Sequence, residues 1–520
     1  MGKLSFKKLL TLLLLVQFLC VVASASSIEE ANALLKWKAS FENQTKSWLT
    51  LWTLVSPNAT NSKPLTTPCS WLGVSCNLAG SFIKINLTSF GLNGTLYEFL
   101  TSSFPNLKYV DFAVNSLSSV IPSQIGNLSK LIYLDLFFNH FFGKISPEIG
   151  LLTNLQILHL DENQLNGIIL FEIGQCRSFN ELALYNNSLD GQIPASRDNL
   201  NNLVRLYLYN NSLSGLIPSS FGNFTKLIVL HAFDNQLSSP IPKELGNLKC
   251  LEHLSLYSNN LFGFIPTSLG SLTNLTYLHL YGNQLSGLIP EELGNLKSLI
   301  DQELSVNQLN GLLPPSFGNL INLEILYLRQ NQLSRSSPQE MGNLMKLSVL
   351  QLDINQFTGP LPNICQGGSL ACFSANNNNL TGNIPKGLKN CTNLLRLCLE
   401  VNQLIGDLAV VFGICPKLSF IDINHNKFHG EISSKCGSCP NLSSLLVVRN
   451  NITGIILPEI GNATQIQSLD LSSNNLVRRI PKTLGKLTTL IKVNFSDNQL
   501  SDVIPPEIGL LTNLESWTCP

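Results

Sequence analysis

An asparagine returns along this chain at Asn115, Asn139, Asn163, Asn187, Asn211, Asn235, Asn259, Asn283, Asn307, Asn331 and Asn355, at a constant step of 24. One residue drops out before Asn378, and the step of 24 resumes through Asn402, Asn426, Asn450, Asn474 and Asn498. Around each stands a version of L-x-x-L-x-L-x-x-N-x-L-x-G-x-I-P. Seventeen in-phase returns in 520 residues exclude chance. They place the chain among repeat architectures, in which length says nothing about domain number and each unit buries its apolar face only by stacking on the next.

The chemistry of one repeat sets the fold. In Leu275-Thr-Tyr-Leu278-His-Leu280-Tyr-Gly-Asn283, Leu278 and Leu280 alternate with Tyr277, His279 and Tyr281. That alternation is a short strand with leucines inward and the other residues toward solvent. An inward asparagine has donors and acceptors for the backbone of its own turn and of the neighbouring coil. Gly287 and Pro290 then punctuate the return. The expected fold is an α/β repeat solenoid: a right-handed leucine-rich-repeat superhelix with a concave parallel β-sheet and an N-terminal disulfide cap.

The ends follow the logic of secretion and capping. Lys3, Lys7 and Lys8 precede an apolar run from Leu9 to Val22 and then Ala23-Ser24-Ala25, a secretory signal with cleavage after Ala25. Beyond it the longest apolar stretch, Leu408 to Cys415, is too short to span a bilayer. In the oxidising pathway Cys69 and Cys76 close a small loop that pins the cap on the first coil. The organisation expected is a signal peptide over 1–25, a cap over 26–80, eighteen repeats over 81–513, and a repeat over 514–520 cut inside its strand. With 33 basic and 33 acidic residues, and only 13 % of residues charged, a broad basic face for nucleic acid is excluded.

The repeat text, the cap phrase Trp71-Leu-Gly73-Val74-Ser-Cys76 and the preceding Ala33-Leu34-Leu35-Lys36-Trp37-Lys38 closely resemble the ectodomains of plant leucine-rich-repeat receptor-like kinases. Leu370-Ala-Cys372-Phe after Cys365-Gln-Gly-Gly, and Lys389-Asn390-Cys391-Thr-Asn393-Leu394, look like the male-discoverer-interacting receptor-like kinase group. The resemblance implies an extracellular ligand-binding module at the apoplastic face of the plasma membrane. It also implies a secreted peptide ligand and a somatic-embryogenesis-type co-receptor docking near Asn426 to Asn498. In full-length relatives a transmembrane helix and a Ser/Thr kinase follow, and neither lies within these residues. The competing reading is a soluble secreted decoy or a wall-enzyme-inhibitor-like protein.

Residues flanking the strand leucines form columns on the concave sheet. Aromatic residues and histidine concentrate there as Phe137, His159, Tyr185, Tyr207, Tyr209, His231, Phe233, Tyr257, His279, Tyr281 and Tyr327, with Arg329 beside them. Such side chains join apolar area to a polar tip at small entropy cost, which suits an extended peptide. A sheet also favours aromatic ladders for its own stability. In later repeats Asp353, Asn376, Glu400, Asn424 and Ser472 take the first column. Glycan acceptors fall at Asn43, Asn58, Asn86, Asn93, Asn127, Asn223, Asn274, Asn379, Asn390, Asn441, Asn451, Asn462 and Asn494, and two more, Asn186 and Asn210, lie on the rim of the proposed groove.

Catalysis finds no support. There is no P-loop, no G-x-S-x-G and no H-E-x-x-H, and neither a metal nor a cofactor is expected. Cys436-Gly-Ser-Cys439 lies on a return segment without the helix of a redox motif. Cys176, Cys391, Cys415 and Cys439 share one repeat phase and read as small core residues, although Cys365 and Cys391 also sit on adjacent segments where a disulfide is open to them.

Overall fold

In the computed structural model the described residues are 28–41, 48–54, 67–195, 200–389, 391–411 and 416–519. The signal sequence, Asn43, Asn58, Asn390 and Cys415 lie outside them. The chain divides into two compact units, Met1–Ser238 and Ser239–Pro520.

The first unit opens with a helix over 28–39. Its Trp37 is fully buried against Phe41, Phe99 and Phe112 at 4.7–4.9 Å, and its indole N–H donates to the Thr95 carbonyl at 2.7 Å. Buried Glu30 accepts from the Ser81 hydroxyl at 2.6 Å and the Phe82 amide at 2.8 Å, fixing the helix to the first repeat. Val74–Cys76 pairs antiparallel with Phe82–Asn86, and the Cys69–Cys76 disulfide closes the cap as expected. From Phe82–Asn86 the pairing becomes parallel, running through Tyr109–Asp111, Tyr133–Asp135, Ile157–His159, Glu181–Ala183, Arg205–Tyr207 and Val229–His231. The second unit continues the pattern in twelve strands from His253–Ser255 to Ser516–Thr518. The fold is a leucine-rich-repeat solenoid, as its period requires.

The two leucines that define the repeat's main strand face inward: Leu278 and Leu280 are fully buried, and Tyr277 and His279 are half-buried. The asparagine makes the bonds its chemistry allows. The Asn139 amide donates to the Phe112, Leu136 and Phe137 carbonyls at 3.0, 3.2 and 3.1 Å, while its oxygen accepts from the Leu117 amide at 3.0 Å.

Two features go beyond the sequence reading. The L-x-G-x-I-P segment, expected as a turn, forms a second set of parallel strands: a pair (Asn93–Gly94 and Ser116–Leu117) and five from Phe142–Gly143 to Gln236–Leu237 in the first unit, and nine from Phe262–Gly263 to Asn451–Ile452 and a pair (Val477–Arg478 and Gln499–Leu500) in the second. Gly287 lies inside one of these strands at φ +76°, a conformation that glycine adopts without a Cβ clash. Most described returns are 3-10 turns such as Thr267–Ser271, and two, Lys386–Lys389 and Leu408–Val411, are single α-helical turns. About five residues are too few for a stable α-helix. A Cβ on Gly270 would stand 2.3 Å from the Glu292 carbonyl, so the glycine permits this close stacking of coils.

Cys391 bonds Cys365, so it is not a plain core residue. Cys176 and Cys439 are buried as read. Asn127, Asn223, Asn274, Asn379, Asn441, Asn451 and Asn462 are exposed, and Asn86, Asn93 and Asn494 are half-buried. No described helix is long and apolar enough to cross a membrane.

One position in the second unit breaks the core rule. Gln302 stands in register with Leu278 and Leu326, is fully buried, and bonds through neither its amide nitrogen nor its oxygen among the described residues. An unpaired buried amide costs about 1–3 kcal/mol. Gln302→Leu is expected to stabilise the second unit by about that amount, read as a raised urea midpoint; an unchanged or lowered midpoint contradicts it. Asn139→Ala is expected to destabilise the first unit by about 2–4 kcal/mol, because it orphans the buried Leu117 amide and strips three carbonyls of a donor.

Candidate functional site

The candidate site of the first unit forms on the solvent face of its main sheet. Strands about 4.8 Å apart place equivalent side chains of successive repeats one above another. In this way Tyr185, Tyr209 and Phe233 become a continuous stack, with ring centroids 4.4 and 4.3 Å apart and planes within 12° of parallel. The column beside it brings Tyr207 and His231 to 5.5 Å edge-to-face. Together with Phe137, His159, Asp135, Asp161, Glu181 and Ala183 these residues line a cavity of about 610 Å³. The structure therefore gathers all seven of the site residues expected in this unit.

The carboxylates are what the aromatic pattern missed. His159 Nδ1 meets Asp135 at 2.9 Å, and its Nε2 stands 3.4 Å from Glu181, which also contacts Arg205 at 3.2 Å. Burial opposes the imidazolium, but hydrogen bonding to Asp135 and Glu181 and the charges of Asp135 and Asp161 outweigh it, and the group is pushed up to about 10. Asp135 is held below the usual carboxylate range: burial works against its ionisation, and His159 and the Phe137 amide more than compensate. Asp161 goes the other way. Burial pushes its carboxyl up to about 6, opposed in part by hydrogen bonding with Tyr185. The visible signal was an acidic residue at a register where neighbouring repeats carry Phe137 and Tyr185.

In the second unit Tyr257 and Tyr281 stack at 4.3 Å. His279 stands 3.4 Å from both Asp301 and the Ser255 hydroxyl. Tyr327 is half-buried, and Arg329 is committed to buried Asp353 at 2.9 Å. Among the described residues one cluster of donors, His279, Asp301 and Glu303, lies within 4.8 Å and has the composition to hold a cation. Asn186 and Asn210 bond to each other at 2.7 Å on the main-sheet side of the first unit.

Comparison with known proteins agrees with this architecture. A Leucine Rich Repeat family profile matches residues 154–176, 202–224, 250–272, 274–296, 322–344, 465–487 and 489–511. The Arabidopsis receptor kinase HAESA, solved with the peptide hormone IDA and the co-receptor SERK1, is 31 % identical with a TM-score of 0.80, over 94 % of this chain and 81 % of that one. The chain belongs to the leucine-rich-repeat family. The plant peptide hormone receptor RGFR1, solved with RGF2, is 28 % identical with a TM-score of 0.58, over 86 % of this chain and 94 % of that one. Among curated relatives, MDIS1-interacting receptor like kinase 2 of Arabidopsis thaliana is 46 % identical over 113 residues, 22 % of this chain and 10 % of that protein. The chain thus spans a small part of the curated relatives it matches, and no kinase domain is evident in this leucine-rich-repeat region.

The raised Asp161 group has a signed consequence. Its proton is bound more tightly in the folded state, so the carboxyl favours folding below about pH 3.8 and that contribution is lost as pH rises through about 6. Asp161→Asn is expected to unfold at a higher temperature than the parent above pH 6, with the gap shrinking toward pH 3.5. A gap independent of pH contradicts the assignment.

Proposed function

We propose that this chain is the ligand-sensing ectodomain of a plant receptor-like kinase of the male-discoverer-interacting group. It recognises a secreted peptide on the main-sheet face and signals from the extracellular side of the plasma membrane with a co-receptor. The observation that carries the reading is the stacked Tyr185–Tyr209–Phe233 wall beside a 610 Å³ cavity. Rigid aromatic rings supply contact area for an extended chain at small entropy cost. HAESA and RGFR1, similar over most of this chain, were solved with peptide hormones, which adds support for this ligand class.

The proposal includes a cleaved signal over 1–25, a cap over 26–80, repeats over 81–513 and a further repeat begun at 514–520. Docking of a somatic-embryogenesis-type co-receptor is proposed near Asn426 to Asn498. Tyr257, His279, Tyr281, Tyr327 and Arg329 are proposed as further ligand contacts in the second unit. The exposed acceptor asparagines are proposed as glycan sites.

The test is selection of a displayed library of random ten-residue peptides on the immobilised full chain. An aromatic anchor in an interface contributes about 2 kcal/mol, so Tyr185→Ala combined with Tyr209→Ala should lower recovery at least tenfold while the thermal unfolding profile stays cooperative. Equal recovery by the variant contradicts the groove.

A further inference from the structure

Asp161 is 3 % exposed, and its Oδ1 has no hydrogen-bond partner among the described residues. It nevertheless lines the open cavity of the first unit. An unpaired carboxylate oxygen buried in a residue that borders a cavity calls for a donor from outside the protein, since buried polar atoms are otherwise paired.

The surrounding charge selects the kind of donor. The residues lining the cavity include three carboxylates, Asp135, Asp161 and Glu181, and two imidazoles, His159 and His231, of which His159 is held cationic by its carboxylate neighbours. That imidazole is engaged by Asp135 at 2.9 Å and faces Glu181 at 3.4 Å. Arg205 reaches Glu181 at 3.2 Å and is not among the lining residues. The His159 charge acts on Asp161 from nearby, but its ring nitrogens are directed to Asp135 and Glu181, so Asp161 has no cation bonded to it among the described residues. The stacked rings of Tyr185 and Tyr209 border the same space, and the faces of such rings attract cations.

We infer that this cavity takes a cationic N–H group of the ligand, a guanidinium or ammonium, with Asp161 as its anchor and the tyrosine wall alongside. The inference rests on the peptide reading and adds to it a required charge at one ligand position. A guanidinium fits the site most fully, because it donates to a carboxylate in its plane while its face stacks on an aromatic ring.

The experiment compares peptides selected from the random ten-residue library on the full chain and on its Asp161→Asn variant. Peptides selected by the parent are expected to share arginine or lysine at one position, and replacing it by citrulline or norleucine in the synthetic peptide should weaken binding at least tenfold. If acetylating the peptide N-terminus produces that loss instead, the terminal amine is the group bound, and the inference holds in that form. Asp161→Asn removes a buried charge and keeps the fold. It should still capture peptides through Tyr185 and Tyr209 but without a basic preference. Selected peptides that lack a basic position, or that bind equally with citrulline or norleucine in its place and with an acetylated terminus, overturn the inference and leave the groove standing. Recovery that is indifferent to Tyr185 and Tyr209 overturns the peptide reading, and the inference with it.

Discussion

The asparagine ladder is the interaction on which the rest depends. Each ladder residue ties its own turn to the coil before it, as Asn283 does through the Leu256, Leu280 and Tyr281 carbonyls and the Leu261 amide at 3.0–3.3 Å. The residue just before each ladder asparagine takes a left-handed conformation, at φ 51° for Phe138, 54° for Val306 and 57° for Val401. Such angles are unfavourable for residues with a Cβ, most of all β-branched ones. They persist because the asparagine bonds over-determine the turn. A fixed turn ends each strand at the same place, and side chains at one repeat phase then fall into columns.

Columns convert a sequence period into a continuous surface of aligned side chains. Parallel pairing in strict register sets Tyr207 on His231 and Ala183 on Tyr207, so the spacing of rings is that of strands and needs no special loop. The same regularity concentrates charge. Asp111 and Asp135 stand in register on adjacent strands, and Asp135 is in turn in register with His159, whose imidazole it holds. Carboxylates that would repel one another are thus interleaved with a histidine and with tyrosine hydroxyls such as Tyr133, which donates to Asp135 at 2.8 Å.

Much of this was legible in the sequence because period, burial and register are one fact. Leu278 facing inward, Asn283 bonding two coils and Tyr185 beside Tyr209 all follow from counting by 24. The second sheet was not legible: Gly287 reads as a turn residue, and only the neighbouring coil makes it a strand. The charge pattern was visible as letters but not as chemistry. Asp161 looks like an interruption of an aromatic column until the fold surrounds it with Tyr185, Glu181 and His159 and leaves one oxygen without a partner. Arg329 shows the converse, since a cation exposed by its phase is committed to Asp353.

The most direct measurement is hydroxyl-radical footprinting of the full chain with and without a tight-binding selected peptide. The account predicts that bound peptide protects Tyr185, Tyr209, His231 and Phe233, while Tyr97 and Phe264, exposed elsewhere on the chain, keep their reactivity. Unchanged oxidation of the four, with protection at Phe264 or other residues away from the main-sheet face, would contradict it.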